Sequence, residues 1–399
     1  MSGPRLPAAQ RVAGLGTTVF SEFSALANEH GAVNLGQGFP DFDGPLEVKE
    51  AAVQAINGGL NQYAIGSGAV ELRRAIAEHQ ARFYGQKLDP QTMISVTSGA
   101  TEAIFDTILG IVDPGDEVII FEPFYDSYVP AVEMAGGVCR YVLLRPADGT
   151  HPTWWFDEGE LRAAFSDKTR LVIVNTPHNP TGKVYTRAEL SLIGELCRKH
   201  GAFILSDEVY EHIVFEPARH VPTATVEGLG DRVVTVSSGG KTFSFTGWKI
   251  GWAIGAPPLR TPVQNAHQFI TFATAAPFQH AIAHALRMTD SFYAELQRDY
   301  AKRRDKLCGA LRDCGFRVLV PEGTYFAMVD LEGTGFDDDF AFCRHLTTKV
   351  GVAAIPPSAF YSAEHKKHGQ RFARFAFCKT DAVLDRAAER LRSFRSLTR

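Results

Sequence analysis

The segment Ser237-Ser238-Gly239-Gly240-Lys241-Thr242 places a lysine among small residues, directly after the apolar run Val233-Val234-Thr235-Val236. Glycines and Lys-Thr after a strand suggest a nucleotide phosphate loop. That pattern needs a glycine five positions before Gly240, where Thr235 stands, and Phe243-Ser244-Phe245 is a poor helix start. The other chemistry open to Lys241 is covalent. A lysine desolvated at a strand end gives up its charge readily and can act as a Schiff-base nucleophile. The Ser238 hydroxyl and a second cation, Lys249, would then clamp a phosphate. Most lysines are solvated surface, so this reading needs support from elsewhere in the chain.

Three further segments provide it. Ser206-Asp207-Glu208-Val209-Tyr210 sets an acid at the end of an apolar run, with a tyrosine three residues later. A carboxylate there is costly unless it meets a cation or a donor. Asn175-Thr176-Pro177-His178-Asn179-Pro180-Thr181-Gly182 is a proline-stiffened turn that aims Asn179 inward. Ser98-Gly99-Ala100-Thr101 opens a helix, whose unpaired N–H groups attract anions. Singly, these are a turn, a cap and a paired acid. Together, each at the carboxyl end of a parallel strand, they converge on the ligand crevice of an open α/β sheet.

The elements that must position them follow from hydrophobic patterning. Between about residues 47 and 285, apolar runs at 94–97, 117–121, 171–175, 203–206, 233–237 and 252–255 alternate with helical stretches such as 188–200. Runs apolar throughout are expected of parallel strands covered on both faces. Beyond residue 286 the texture changes to a charged helix (295–312), alternating strands (325–330 and 371–377) and a last helix carrying Leu384, Ala387, Leu391 and Phe394 on one face. A large domain over 47–285 and a smaller α+β domain from 1–46 and 286–399 are expected. The glycine-rich stretch Asn34-Leu35-Gly36-Gln37-Gly38-Phe39-Pro40-Asp41 should run between them.

The 399 residues carry 41 Lys+Arg against 45 Asp+Glu, a net charge of −4, with 45% hydrophobic residues. That is ample for a core, and the acidic excess argues against nucleic-acid and anionic-membrane partners. No apolar run approaches the ~18 residues of a spanning helix, and no secretory signal stands at the N-terminus. The six cysteines show no Cys-x-x-Cys pair. Reduced thiols, a cytoplasmic location and no metal site are the expectations.

The motifs Asn-x-Pro-x-Asn-Pro-Thr-Gly, Ser-Asp-Glu-Val-Tyr and Ser-x-x-Lys-x-x-x-x-x-Gly-x-Lys-x-Gly occur in order. With them the chain resembles the fold-type I, pyridoxal-phosphate-dependent class I aminotransferases from about Val33 to the C-terminal helix. Val33 to Asp41, Asn61-Gln62-Tyr63, Gly247 to Trp252 and Ala354 to Tyr361 resemble one subgroup in particular. It holds kynurenine/glutamine–phenylpyruvate, methionine and N-succinyldiaminopimelate aminotransferases. The resemblance implies an α/β fold with a mostly parallel seven-stranded sheet and a smaller α+β domain. It also implies pyridoxal 5′-phosphate as cofactor, amino acids and 2-oxo acids as substrates, and a homodimer with shared active sites.

By the same resemblance, Lys241 would bind the cofactor and shuttle the proton, and Asp207 would pair with the pyridine N–H. Tyr210 and Asn179 would bond the ring oxygen. Gly99, Ala100, Thr101, Ser238, Lys249 and Tyr63 of the partner subunit would hold the phosphate, and Phe124 would stack on the ring. Arg374 would clasp the α-carboxylate, with Gly38 and Asn179 beside it. Phe20 would wall the side-chain pocket, with Phe272 and Phe278 near it. No counterpart of the second arginine of the dicarboxylate-specific branch is visible. The expected reaction is therefore ping-pong transfer from a neutral or aromatic L-amino acid. N-succinyldiaminopimelate transamination and β-elimination from cysteine conjugates are the alternatives. A ligand-sensing regulator built on the same fold would need an added helix-turn-helix, for which little room precedes Gly31.

Overall fold

The computed structural model describes residues 8–394. A two-residue strand, β1 (Val33–Asn34), precedes the main sheet. That sheet is built from β2 (Ile94–Ser98), β3 (Glu117–Glu122), β4 (Val138–Arg145), β5 (Trp155–Phe156), β6 (Thr169–Asn175), β7 (Phe203–Asp207), β8 (Val233–Ser238) and β9 (Ile250–Ile254). Beyond it come β10 (Arg317–Leu319), β11 (Phe326–Asp330), β12 (Val352–Ala353) and β13 (Phe372–Ala376).

The main sheet has the order β2-β9-β8-β7-β6-β3-β4-β5, eight strands where seven were expected. The additional edge strand β5 has two residues and pairs antiparallel with β4, too short to leave a hydrophobic pattern. Pairings β4–β3–β6–β7–β8 are parallel. Along these strands successive residues point to opposite faces. Ile119, Val172, Ile204 and Val233 enter one apolar cluster, and Val118, Leu171, Leu205 and Val234 enter another. Both faces are covered, which is why the runs are apolar throughout.

The strand expected at 252–255 is β9. It starts at Ile250 and runs antiparallel to both β2 and β8. Continuous apolarity reports burial on both faces, not strand direction, so the sequence reading treated it as parallel. The reversal matters for the site. β9 begins at the edge where its neighbours end, pairing Ile250 with Ser98 and Gly251 with Ser238. Lys249 is thereby delivered to the carboxyl edge.

Helix Arg187–His200 shows how local sequence sets an element. Thr186 and Glu189 form a reciprocal capping box, Gly201 ends the helix with φ 70°, and Leu190, Ile193, Leu196 and Cys197 are buried. The charged helix expected at 295–312 spans Asp290–Asp313. The C-terminal helix is Asp381–Leu391, with Phe394 buried just beyond it. β10, β11 and β13 form a separate antiparallel sheet, and β1 pairs parallel with β12. One apolar cluster joins Phe23, Val33 and Leu35 to Leu307, Phe342, Phe375 and Leu391. No disulfide links the cysteines, and no helix is long and apolar enough to cross a membrane, among the described residues.

Gly251 is a tight joint of this scaffold, because strand β9 presses there on the start of helix Gly99–Ile111. A Cβ there would fall 2.4 Å from the Gly99 carbonyl carbon and 2.5 Å from the Ala100 nitrogen, both backbone atoms that cannot swing aside. Gly251→Ala is expected to destabilise the protein by ~1–3 kcal/mol or more, as overpacking does. Thermal unfolding of the variant beside the wild type checks this, and an unchanged midpoint would show that the strand–helix joint has slack.

Candidate functional site

A cavity of about 300 Å³ opens at the carboxyl edge of the main sheet. It is lined by Asp207, Ser238 and Asn175 at the ends of β7, β8 and β6, and by Gly99, Ala100 and Thr101 at the start of helix Gly99–Ile111. Lys241, Lys249, Asn179 and Tyr210 complete that side. Gly38, Phe20, Phe326 and Arg374 close it from the other. This is where an open α/β sheet binds its ligands. All the residues expected at or near the site line it except Phe124, Tyr63, Phe272 and Phe278.

Asp207 is buried. Its Oδ2 accepts a hydrogen bond from the Tyr128 hydroxyl at 2.7 Å, and its Oδ1 accepts from the Val209 N–H at 3.4 Å. Burial pushes its pKa up to about 6, against the pull of Tyr128, Val209 and the Lys241 charge. Lys241 donates from Nζ to the Tyr325 hydroxyl at 3.0 Å and to the Gly38 carbonyl at 3.3 Å. Burial brings its pKa down to about 8, with Cys378 and Asp207 opposing the shift. A fraction of this amine is therefore neutral and nucleophilic near pH 7. Tyr210 stands edge-on to Tyr325 at 5.1 Å, and burial raises its pKa well above the usual tyrosine value.

The opposite corner suits an anion. Gly99 has φ +77°, a conformation that glycine takes without strain, and the Lys249 ammonium comes within 3.0 Å of where a Cβ would stand. Lys249 itself takes the left-handed conformation at φ 55°. The helix N-terminus, Ser238 and the Lys249 ammonium thus face one volume.

Arg374, on β13, is 1% exposed. It donates from Nη1 to Asn179 Oδ1 at 3.0 Å and from Nη2 to the Gly36 carbonyl at 2.8 Å. The guanidinium lies over the rings of Phe326 (4.1 Å), Phe20 (5.0 Å) and Phe360 (5.5 Å). Burial lowers its pKa to about 10, so it keeps its charge at neutral pH. Asn179 is positioned in turn, its N–H donating to Asn175 Oδ1 at 2.7 Å.

Phe124 does not face the cavity. Its ring stacks on Tyr141 at 6.0 Å inside the core, and the next residue, Tyr125, lines the cavity. Just past the end of β3, the two adjacent rings therefore take different sides, Phe124 in the core and Tyr125 at the cavity. Tyr63 is 82% exposed and meets Phe272 edge-on at 5.3 Å, away from the cavity lining of its own chain. Phe278 stacks on Trp248 at 4.7 Å, and neither it nor Phe272 lines the cavity. Tyr325, Tyr128 and Tyr125 escaped the sequence reading. Tyr325 and Tyr128 act through Lys241 and Asp207 from 84 and 79 residues away, and no local spacing signals such contacts.

The chain matches the family model for aminotransferase class I and II over residues 30–391. It is 48% identical to a probable N-succinyldiaminopimelate aminotransferase of Mycobacterium tuberculosis, over 94% of this chain and 95% of that protein. It is 43% identical to the methionine aminotransferase of Escherichia coli, over 95% and 96%. The solved structure of N-succinyldiaminopimelate aminotransferase from Mycobacterium tuberculosis superposes with a TM-score of 0.93 at 47% identity, covering 97% of this chain and all of that one. The chain belongs to the class I and II aminotransferases and is a pyridoxal-phosphate-dependent transaminase of fold type I.

Proposed function

We propose that this transaminase moves the α-amino group of a neutral or aromatic L-amino acid, of the methionine, phenylalanine, glutamine or kynurenine type, to a 2-oxo acid in a ping-pong cycle. The supporting observation is the cavity wall. Arg374 is its one arginine among the described residues, and beside it stand Phe20 and Phe326. An α-carboxylate would engage Arg374, leaving an aromatic surface for the side chain.

The donor set fits the cofactor. A buried acid, an amine with lowered pKa and an anion corner opened by Gly99 match a pyridine nitrogen, an aldehyde and a phosphate in turn. When bound, pyridoxal phosphate supplies an electron sink for charge developing at the substrate α-carbon. In this reading Lys241 Nζ attaches the cofactor, and takes and returns the α-proton. Asp207 keeps the pyridine nitrogen protonated, and Tyr210 and Asn179 bond the ring oxygen. Gly99, Ala100, Thr101, Ser238 and Lys249 hold the phosphate with Tyr63 of the partner subunit, and Tyr125 takes the place first given to Phe124 at the ring. The bidentate guanidinium of Arg374 clasps the α-carboxylate, and Gly38 leaves room beside it.

The same proposal covers organisation. Residues 47–285 form the cofactor-binding domain, and 1–46 with 286–399 form the smaller one. This division is supported by the main sheet lying wholly within 94–254 and the antiparallel sheet within 317–376. The chain works in the cytoplasm as a homodimer. Support for the dimer is the exposure of Tyr63 (82%), Phe269 (89%) and Ile65 (56%), apolar groups costly to leave in water.

A second reading, transamination of N-succinyldiaminopimelate, is favoured by the 48% identity to the mycobacterial relative. Its additional carboxylates would have to be met by donors other than Arg374. Steady-state kcat/KM over a panel of both substrate classes decides. A preference for the succinylated diamino acid over methionine, phenylalanine, glutamine and kynurenine would replace the first reading.

Three outcomes are expected. Lys241→Ala should retain cofactor without covalent attachment and lose transamination by at least ~10²–10⁴-fold, the usual worth of a positioned proton carrier; near-wild-type turnover would refute its role. Arg374→Lys should lose activity across the whole panel, whereas Phe20→Ala should weaken large apolar substrates by ~10-fold or more and spare alanine. Equal losses for every substrate in Phe20→Ala would mark that ring as packing alone. Activity per chain should fall on dilution as analytical ultracentrifugation shows dimers dissociating, and a fully active monomer would contradict the shared site.

A further inference from the structure

Behind the anion corner, three ionisable side chains meet in the interior. Glu102 and Asp106 lie one turn apart on helix Gly99–Ile111, and His267 reaches them from helix Pro257–Ile270. His267 Nδ1 is 2.9 Å from Glu102 Oε1 and 3.9 Å from Asp106 Oδ2, and one ligand atom of each residue lies within 4.8 Å of the others. Asp106 and His267 are fully buried. Neither oxygen of Asp106 has a hydrogen-bond partner, nor does His267 Nε2. An orphaned buried carboxylate calls for a counter-charge, such as an ion. Burial, with the Glu102 charge beside it, pushes the Asp106 pKa up to about 8. Glu102 is also subject to burial, but hydrogen bonds from His267, Thr271 and the Ser98 N–H hold it below the usual range.

We propose that Glu102, Asp106 and His267 bind a divalent transition-metal ion, zinc being the reference case, as a structural site. Two carboxylates balance the double charge and a neutral imidazole supplies the nitrogen ligand, a donor set that suits zinc better than magnesium. With metal–ligand bonds of ~2.0–2.1 Å, tetrahedral ligand atoms stand about 3.3 Å apart. The observed 2.9 and 3.9 Å straddle that value, so small side-chain rotations equalise them. The ion would tie together two helices, one of which begins at Gly99, Ala100 and Thr101. Its work would be to hold the anion corner in place, and it does not depend on which amino acid the enzyme uses. The other buried cluster, His79, Glu211 and His212, suits an ion poorly. Its two imidazole Nε2 atoms are hydrogen-bonded at 2.7 Å, and Arg82 adds positive charge. The sequence reading expected no metal site, because Glu102 and Asp106 lie 165 and 161 positions from His267, outside any local ligand motif.

The test uses holoenzyme dialysed against a chelator and then titrated with Zn²⁺ by calorimetry and with Co²⁺ by visible absorption. Expected are one Zn²⁺ per chain, cobalt bands of a four-coordinate oxygen and nitrogen site, and zinc affinity lowered ~10-fold or more in Asp106→Asn and in His267→Gln. Zinc should raise the unfolding temperature of the wild type more than that of either variant. Absence of stoichiometric uptake, or equal zinc affinity in wild type and both variants, would overturn the proposal. Should the variants fail to fold, the wild-type cobalt spectrum decides: thiolate charge-transfer bands would place the ion on cysteines and refute the site.

Discussion

Two opposite charges taken out of water, Asp207 and Lys241, set the terms for everything around them. Burial drives both toward neutrality, the acid up to about 6 and the amine down to about 8. Between those values both charges survive, but only because each is supplied with polar partners. Tyr128 and the Val209 N–H serve the acid, and Tyr325 and the Gly38 carbonyl serve the amine. A buried charge without such partners would be penalised by several kcal/mol. The depressed amine pKa also places a reactive neutral form within reach of physiological pH, so one physical effect supplies both the strain and the reactivity.

Arg374 meets the same difficulty by a different route. Almost without exposure, it spends Nη1 on Asn179 and Nη2 on the Gly36 carbonyl, and covers its planar faces with aromatic rings. A guanidinium tolerates this because it is weakly hydrated and stacks well, which a lysine ammonium does not. Gly38 is tied to the same arrangement, since a Cβ there would fall 2.6 Å from the Phe326 ring. Arginine, lysine and aromatic wall are thus held by one interlocked set of contacts drawn from residues 20–38, 179–241 and 325–374.

The anion corner depends on a reversal of direction. Four parallel pairings bring Asn175, Asp207 and Ser238 to one edge, and the antiparallel β9 brings Lys249 there from its opposite end. Gly251 is required where helix and strand press together, since a Cβ there would meet backbone atoms at 2.4 and 2.5 Å, and Gly99 is required for its φ of +77°. Deeper in the same helix, Glu102 and Asp106 meet His267 in the buried cluster proposed above to hold a metal ion.

The sequence by itself determined the class of the fold and most of the cavity lining. Lys241, Asp207, Tyr210 and Asn179 are legible because each stands at or within four residues of the end of an apolar strand, and an α/β sheet gathers its strand ends at one edge. Composition and continuous apolar runs were enough to announce buried strands and their helices. Direction and side were decided only in three dimensions. Apolarity could not tell that β9 is antiparallel, and two-residue β5 is below any periodicity. Just past the end of β3, Phe124 turns into the core and Tyr125 into the cavity, a choice made by packing and not marked in the sequence. Tyr325 and Tyr128 reach Lys241 and Asp207 from distant segments, as does His267 to Glu102 and Asp106. Contacts of that range are set by packing between elements, which no spacing along the chain encodes.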